Sequence, residues 1–383
     1  MTVTDVPGFT AAGVAAGIKS SGAKDLALVV NTGPEYTAAG VFTANRVHAA
    51  PVKWSRQVLT TGRLKAVVLN SGGANACTGP KGFQDTHETA ERVAAGLGVG
   101  AVEVAVCSTG LIGEFLPMDR LLPGVDAAVA ALTPDGGRDA AEAVMTTDTV
   151  PKTVAVDADG YRIGGMGKGA GMLAPGLATM LCVFTTDASL DAAIADAALR
   201  EACRLSFDRL DSDGAMSTND TVLLLASGAS GVTPDPAEFT AALTGACRDV
   251  AMQLLADAEG ATKEVAITVT GAASEADAVT VGRSVARNNL VKCALFGQDP
   301  NWGRILAAVG TTDAAFDSDA LDVAVNGVWI CRAGAAAEDR SKVDLTGRTV
   351  AIEIALHAGE HTATVWTNDL SHAYVHENSA YSS

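Results

Sequence analysis

Residues 168–183 read Lys168-Gly169-Ala170-Gly171-Met172-Leu173-Ala174-Pro175-Gly176-Leu177-Ala178-Thr179-Met180-Leu181-Cys182-Val183. Small, conformationally permissive residues and a Pro-Gly step interrupt regular structure. The run that follows, opening on Thr179 and continuing to Phe184, suits a buried strand. On spacing alone this is a loop entering a core strand, with a hydroxyl at the strand's mouth. A threonine hydroxyl is a weak nucleophile unless a base stands beside it. If the preceding peptide bond breaks, Thr179 gains an α-amine whose ordinary pKa is about 7.7–8.0. One residue then carries both nucleophile and base, and no catalytic histidine is needed.

Outward from this stretch, strand-like runs recur at 26–30, 66–69, 102–106, 153–156, 179–184, 221–225, 265–269, 350–355 and 362–366. Between them lie helical patterns at 85–97, 190–206, 236–260 and 274–288. Asp187 or Ser189 is the expected cap of the second helix, and Asp235 before Pro236 that of the third. Alternating strands and helices give an α/β or α+β class. The Pro/Gly-rich segment 160–176 is the best internal break; no repeat or low-complexity tract is evident.

Composition narrows the partners. The chain has 383 residues, 48% hydrophobic and 19% charged, enough for a large core and too few charges for long disordered arms. Net charge is −17, with the basic residues dispersed, which disfavours nucleic acid and anionic membrane. No secretory signal or membrane-spanning run is visible, so cytoplasm is the expected compartment. Seven widely spaced cysteines without a CxxC pair read as reduced thiols, not a zinc cage or disulfide framework.

Several motifs fail on inspection. The glycines from Gly165 to Gly171 suggest a phosphate loop, but Lys168 precedes Gly169 where a P-loop needs Ser or Thr, and Arg162 replaces the leading Gly. Gly165-x-Gly167-x-x-Ala170 formally fits a dinucleotide fingerprint, yet Pro175 and a strand follow it, not a helix. His372 and His376 have i, i+4 spacing without the glutamate of a zincin. His357 and His361 flank Gly359 and read as a hairpin loop. GxSxG is absent.

The segment around Ala178–Thr179 resembles the self-processing site of the ornithine acetyltransferase family, the bifunctional glutamate N-acetyltransferases. Other stretches match the same family in order: Asn70 to Gly79, Cys107-Ser108-Thr109-Gly110-Leu111-Ile112-Gly113, Met145-Thr146-Thr147-Asp148, and Ser217-Thr218-Asn219-Asp220-Thr221. Ala256 to Lys263, Asp299-Pro300-Asn301-Trp302-Gly303-Arg304 and Asn378 to Ser383 complete the set.

The resemblance implies cleavage between Ala178 and Thr179 into chains 1–178 and 179–383, which stay associated through shared sheets. Thr179 would be the acetyl-accepting nucleophile, and the Thr109 hydroxyl and Gly110 amide the oxyanion hole. Thr146, Lys168, Thr179, Glu259, Asn378 and Ser383 match substrate-binding positions, so an ordered C-terminus is expected. The implied reaction is ping-pong acetyl transfer from N2-acetylornithine to glutamate without metal or cofactor. Many family members also accept acetyl-CoA, a point this sequence leaves open. A further oligomer of processed pairs is implied. The implied fold is a sandwich of sheets between helix layers, like the N-terminal-nucleophile hydrolases but of distinct topology, with a smaller α/β lobe toward the C-terminal half. Two other readings stand beside it: an aminopeptidase or amidase on the same self-processing scaffold, and an uncleaved, inert binding protein.

Overall fold

A computed structural model of the chain describes residues 2–174 and 180–380. The first half runs β1 (Phe9–Val14), β2 (Leu26–Asn31), β3 (Thr37–Phe42), α1 (Ala50–Val58), β4 (Ala66–Ser71), α2 (Gly79–Leu97), β5 (Val104–Thr109), α3 (Met118–Ala130), α4 (Gly137–Ala143), β6 (Lys152–Asp157) and β7 (Arg162–Lys168). Next come β8 (Leu181–Thr186), α5 (Ala192–Leu205), β9 (Thr221–Ala226) and α6 (Pro236–Ala256). The remainder is β10 (Glu264–Ala272), α7 (Glu275–Arg287), α8 (Asn289–Phe296), α9 (Trp302–Val309), β11 (Asp322–Val325), β12 (Val328–Arg332), β13 (Ala335–Ala336), β14 (Thr349–Ala355), β15 (His361–Asn368) and α10 (His372–Ala380).

Three sheets result, in the orders β1-β2-β4-β5, β3-β9-β8-β7-β6 and β13-β12-β11-β14-β10-β15. The first two stack face to face, and the strict alternation of strand side chains shows how. Leu181 and Val183 of β8, with Leu223 and Leu225 of β9, join the core of the first sheet. Their neighbours Cys182, Phe184, Val222 and Leu224 point the other way, onto α5 and α6. Every residue of β8 and β9 is buried, as expected for central strands covered on both faces. The outer side of the first sheet carries α2 and α3 through Val93, Leu121 and Val125. The sandwich of sheets between helices is therefore present.

The third sheet forms a smaller α/β lobe. Val265, Ile267 and Val269 of β10 pack with Val281 and Val285 of α7, while Trp366 of β15 joins the core around α6. No described helix is long and apolar enough to cross a membrane.

The glycines of β7 serve close packing. A Cβ on Gly165 would meet the Phe184 ring at 2.7 Å, and one on Gly167 the Cys182 sulfur at 2.8 Å. The first part of the stretch that mimics a nucleotide loop, Gly165 to Lys168, is strand.

Other expectations need correction. The cap of α5 is Asp191, which accepts from the Ala193 amide at 2.8 Å. Asp187 instead accepts from Arg162 N–H, and the Ser189 hydroxyl donates to Glu35. α2 begins six residues before Asp85, through Gly79 and Pro80 in its first turn. β5 starts at Val104; Val102 lies in a short 3-10 turn and is exposed. β14 and β15 do not form a hairpin, because β10 lies between them, parallel to one and antiparallel to the other. The expected strand from Thr179 begins at Leu181; Thr179 itself lies outside the described residues.

Candidate active site

Two strands from different sheets end at the same place. β5 stops at Thr109 and β7 at Lys168, and the Lys168 ammonium stands 3.5 Å from the Thr109 hydroxyl. Gly110, next in the chain, has φ +132°, and a Cβ there would lie 2.5 Å from the Gly73 nitrogen. Only glycine fits a turn so close to neighbouring backbone.

A cavity of about 320 Å³ opens at this point, lined by Thr109, Gly110, Thr146, Lys168, Glu259 and Asn378, with Ile112, Thr147, Gly171 and Met172 completing its wall. Six positions singled out in the sequence thus converge from five separate segments. Thr146 follows α4, and Glu259 follows α6, where its amide donates to the Ala170 carbonyl at 3.0 Å. A Cβ on Gly171 would come within 2.7 Å of the Glu259 carboxylate, so a glycine there leaves that side chain its space. Asn378 arrives on α10, which is docked where Ser371 donates to the Gly260 carbonyl at 2.5 Å. Thr179, Ala178 and Ser383 lie outside the described residues.

Asp148 organises this wall, and it was not singled out from the sequence. Its carboxylate accepts from the amides of Thr146 (2.9 Å) and Gly169 (2.7 Å) and from the Lys152 ammonium (2.6 Å), and it lies 3.9 Å from Lys168. Burial alone pushes its pKa up, but the charges of Lys168 and Lys152, with the hydrogen bonds, outweigh that and hold it at about 2. Lys168 is shifted down, chiefly by burial, against the pull of Asp148. Lys152 is sealed in by its second partner, Asp257.

Two further carboxylates hold the chain on either side of residues 175–179. Asp213 accepts from the Leu173 amide at 2.7 Å, and Asp220 from the Met180 amide at 3.1 Å. Asp148 and Asp220 both stand inside stretches the sequence had marked. A carboxylate directly before the apolar run of β9 was the available signal for Asp220.

A buried cation on one wall, a carboxylate on another, and a hydroxyl with a neighbouring backbone amide between them suit a small ligand bearing both a carboxylate and an ammonium group. The hydroxyl and amide are the donor types that stabilise an oxyanion in acyl transfer.

Comparison with known proteins places the chain in a family. The model of the ArgJ family matches residues 10–383. The arginine biosynthesis bifunctional protein ArgJ of Streptomyces coelicolor is 65% identical over 383 residues, covering 100% of both chains. The protein of the same name from Thermobifida fusca is 63% identical over 382 residues, again covering 100% of both. Among solved structures, ornithine acetyltransferase from Mycobacterium tuberculosis, complexed with ornithine, is 66% identical and aligns with a TM-score of 0.45, covering 45% of this chain and 94% of that one. By the match along its length and its full-length relatives, the chain belongs to the ArgJ family.

Proposed function

We propose that this protein is an acetyltransferase of arginine biosynthesis that carries the acetyl group of N2-acetyl-L-ornithine to L-glutamate through an ester on Thr179. The observation that carries the reading is the convergence of Thr109, Gly110, Thr146, Lys168, Glu259 and Asn378 on one cavity. Membership of a family whose relatives are named for arginine biosynthesis supports it.

The reaction is prepared by self-cleavage. The Thr179 hydroxyl attacks the Ala178 carbonyl, the acyl group passes from nitrogen to oxygen, and water hydrolyses the ester. The products are chains 1–178 and 179–383, the second with a free amine on Thr179. Their association has a structural basis, since β6 and β7 precede the cut, β8 and β9 follow it, and all four share one sheet. β7 pairs directly with β8 across Lys168 and Leu181.

In transfer, Lys168 faces the carboxylate of acetylornithine and Glu259 an ammonium. The Thr179 amine takes the hydroxyl proton as the oxygen attacks the acetyl carbonyl, and the oxyanion forms against the Thr109 hydroxyl and Gly110 amide. Ornithine leaves with the proton from the amine. The amine of glutamate then attacks the ester, returning the proton to Thr179 and leaving as N-acetylglutamate. Every step is acyl or proton transfer, so the scheme uses neither metal nor cofactor. Asn378 lines the pocket from α10, and Ser383 matches a substrate-binding position of the family. The processed pairs associate further, and the enzyme works in the cytoplasm.

A denaturing gel or intact mass reports the cut, and incubation with N2-acetylornithine, with and without glutamate, reports the transfer. Two fragments and glutamate-dependent ornithine release are expected. A single uncut chain, or ornithine release indifferent to glutamate, overturns the reading.

A further inference from the structure

Cleavage before Thr179 creates a mechanical problem. A new N-terminus at the mouth of a strand loses its covalent restraint, and free chain ends fray unless they are tied down. The nucleophile must nevertheless hold its place against Thr109 and Gly110, because sub-ångström positioning governs acyl-transfer rates.

The segment just before β9 ties both parties. The Asp220 carboxyl, 0% exposed, accepts from the Met180 amide at 3.1 Å, and that nitrogen belongs to the peptide bond joining Met180 to Thr179. Thr221 N–H donates to the Met180 carbonyl at 3.1 Å, so Met180 is held on both sides. The adjacent Asn219, also buried, donates from its side-chain nitrogen to the carbonyls of Ser108 (2.8 Å) and Ala74 (2.6 Å). Ser108 directly precedes Thr109.

Neighbouring side chains therefore grip the backbone one residue after the nucleophile and one residue before the oxyanion donors. We propose that Asn219 and Asp220 are positioning residues that fix the spacing between the Thr179 nucleophile and the Thr109–Gly110 oxyanion site, and that Asp220 anchors the new N-terminal strand once it is cut. The inference rests on the acetyl-transfer reading and adds to it how the cut end is kept in register.

Burial holds the Asp220 carboxyl well above the usual carboxylate range, in spite of the Met180 amide and the nearby Ser217 hydroxyl and Lys168 ammonium. Its carboxyl oxygen serves here as the acceptor for the Met180 amide.

The test uses the full chain, with cleavage followed on a denaturing gel and kcat and KM measured on the processed fraction. Asp220→Asn keeps an acceptor and should cleave and turn over within about threefold of wild type, the loss of a fraction of one hydrogen bond. Asp220→Leu keeps the shape without the acceptor and should slow cleavage and lower kcat about tenfold or more, the scale of one lost hydrogen bond, with KM little changed. Asn219→Ala should lower kcat similarly. Should the leucine variant fail to fold, Asn219→Ala and Asp220→Asn carry the test alone. Wild-type turnover in Asp220→Leu or Asn219→Ala overturns the proposal. So does a folded Asp220→Asn as impaired as Asp220→Leu, because charge and not an acceptor would then be the requirement. An uncut wild-type chain instead overturns the acetyl-transfer reading itself.

Discussion

The Lys168 ammonium lies 3.9 Å from the Asp148 carboxylate, with both side chains closed off from solvent. Asp148 also meets buried Lys152 at 2.6 Å, a lysine that has Asp257 as its second partner, so Asp148 is shared between two interior cations and Asp257 takes part of the second. Removing one partner of a buried ion pair leaves an uncompensated charge, which costs about 3–5 kcal/mol. Asp148→Ala should lose stability on that scale in denaturant titration. It should also lose transfer activity, because the Thr146 and Gly169 amides lose their common acceptor.

The pH dependence of stability follows from two carboxylates of opposite sign. Asp148 is depressed to about 2, so its contribution is present above the unfolded carboxylate range and is lost as pH falls from about 4 toward 2. Asp211 is raised to about 6, chiefly by burial, despite Arg287 Nε at 2.6 Å. Its folded state favours the proton, so its contribution is present at low pH and is lost as pH rises from about 4 through 6. Asp211→Asn should flatten the stability curve between those values while leaving the steep fall below pH about 4. Urea midpoints across a pH series check this, and an unchanged slope between pH 4 and 6 counts against it.

The oxyanion assignment makes a kinetic prediction. Loss of one such donor costs about 2.7–4 kcal/mol in transition-state stabilisation, or roughly 10²–10³ in rate. Thr109→Ala should lower kcat for acetylornithine on that scale with a smaller change in KM, and Thr109→Ser should restore most of it. A tenfold KM increase with unchanged kcat would move Thr109 from the transition state to ground-state binding.

Gly171→Ala separates substrate binding from chemistry. The added methyl would sit 2.7 Å from the Glu259 carboxylate, and that side chain must shift. With Glu259 facing the substrate ammonium, KM for acetylornithine should rise severalfold while cleavage proceeds. Glu259→Gln should raise KM further, because the charge itself is gone.

Much of this was legible in advance because local pattern suffices for it. The continuous apolar runs within β2, β4, β8 and β9 announce strands buried on both faces, and Asp235 before Pro236 announces α6. What local pattern lacks is partners. His357 and His361 bracket a loop as read, but only the pairing of β10 with both flanking strands shows that the loop crosses over β10. The site divides the same way. Lys168 and Glu259 came from motif resemblance, whereas Asp148, an ordinary carboxylate in the sequence, gains its importance from two lysines that fold against it.

Gly260→Ala tests whether the C-terminal helix serves transfer without serving cleavage. Gly260 has φ +61°, and a Cβ there would lie 2.2 Å from the Tyr374 nitrogen, inside the first turn of α10. Backbone cannot yield as a flexible side chain can, so the helix must lift away, and the Ser371 bond to the Gly260 carbonyl is strained with it. Asn378, one helical turn beyond Tyr374, then leaves the cavity wall. Asp213 and Asp220, which hold the chain at Leu173 and Met180, stand on other elements, as do Thr109 and Lys168, and all keep their places. The expected protein is fully cut into two fragments on a denaturing gel, close to wild type in melting temperature, and at least about tenfold weaker in kcat/KM for acetylornithine, the scale of one or two lost ligand contacts. Equal loss of cleavage would show instead that α10 supports the self-processing step.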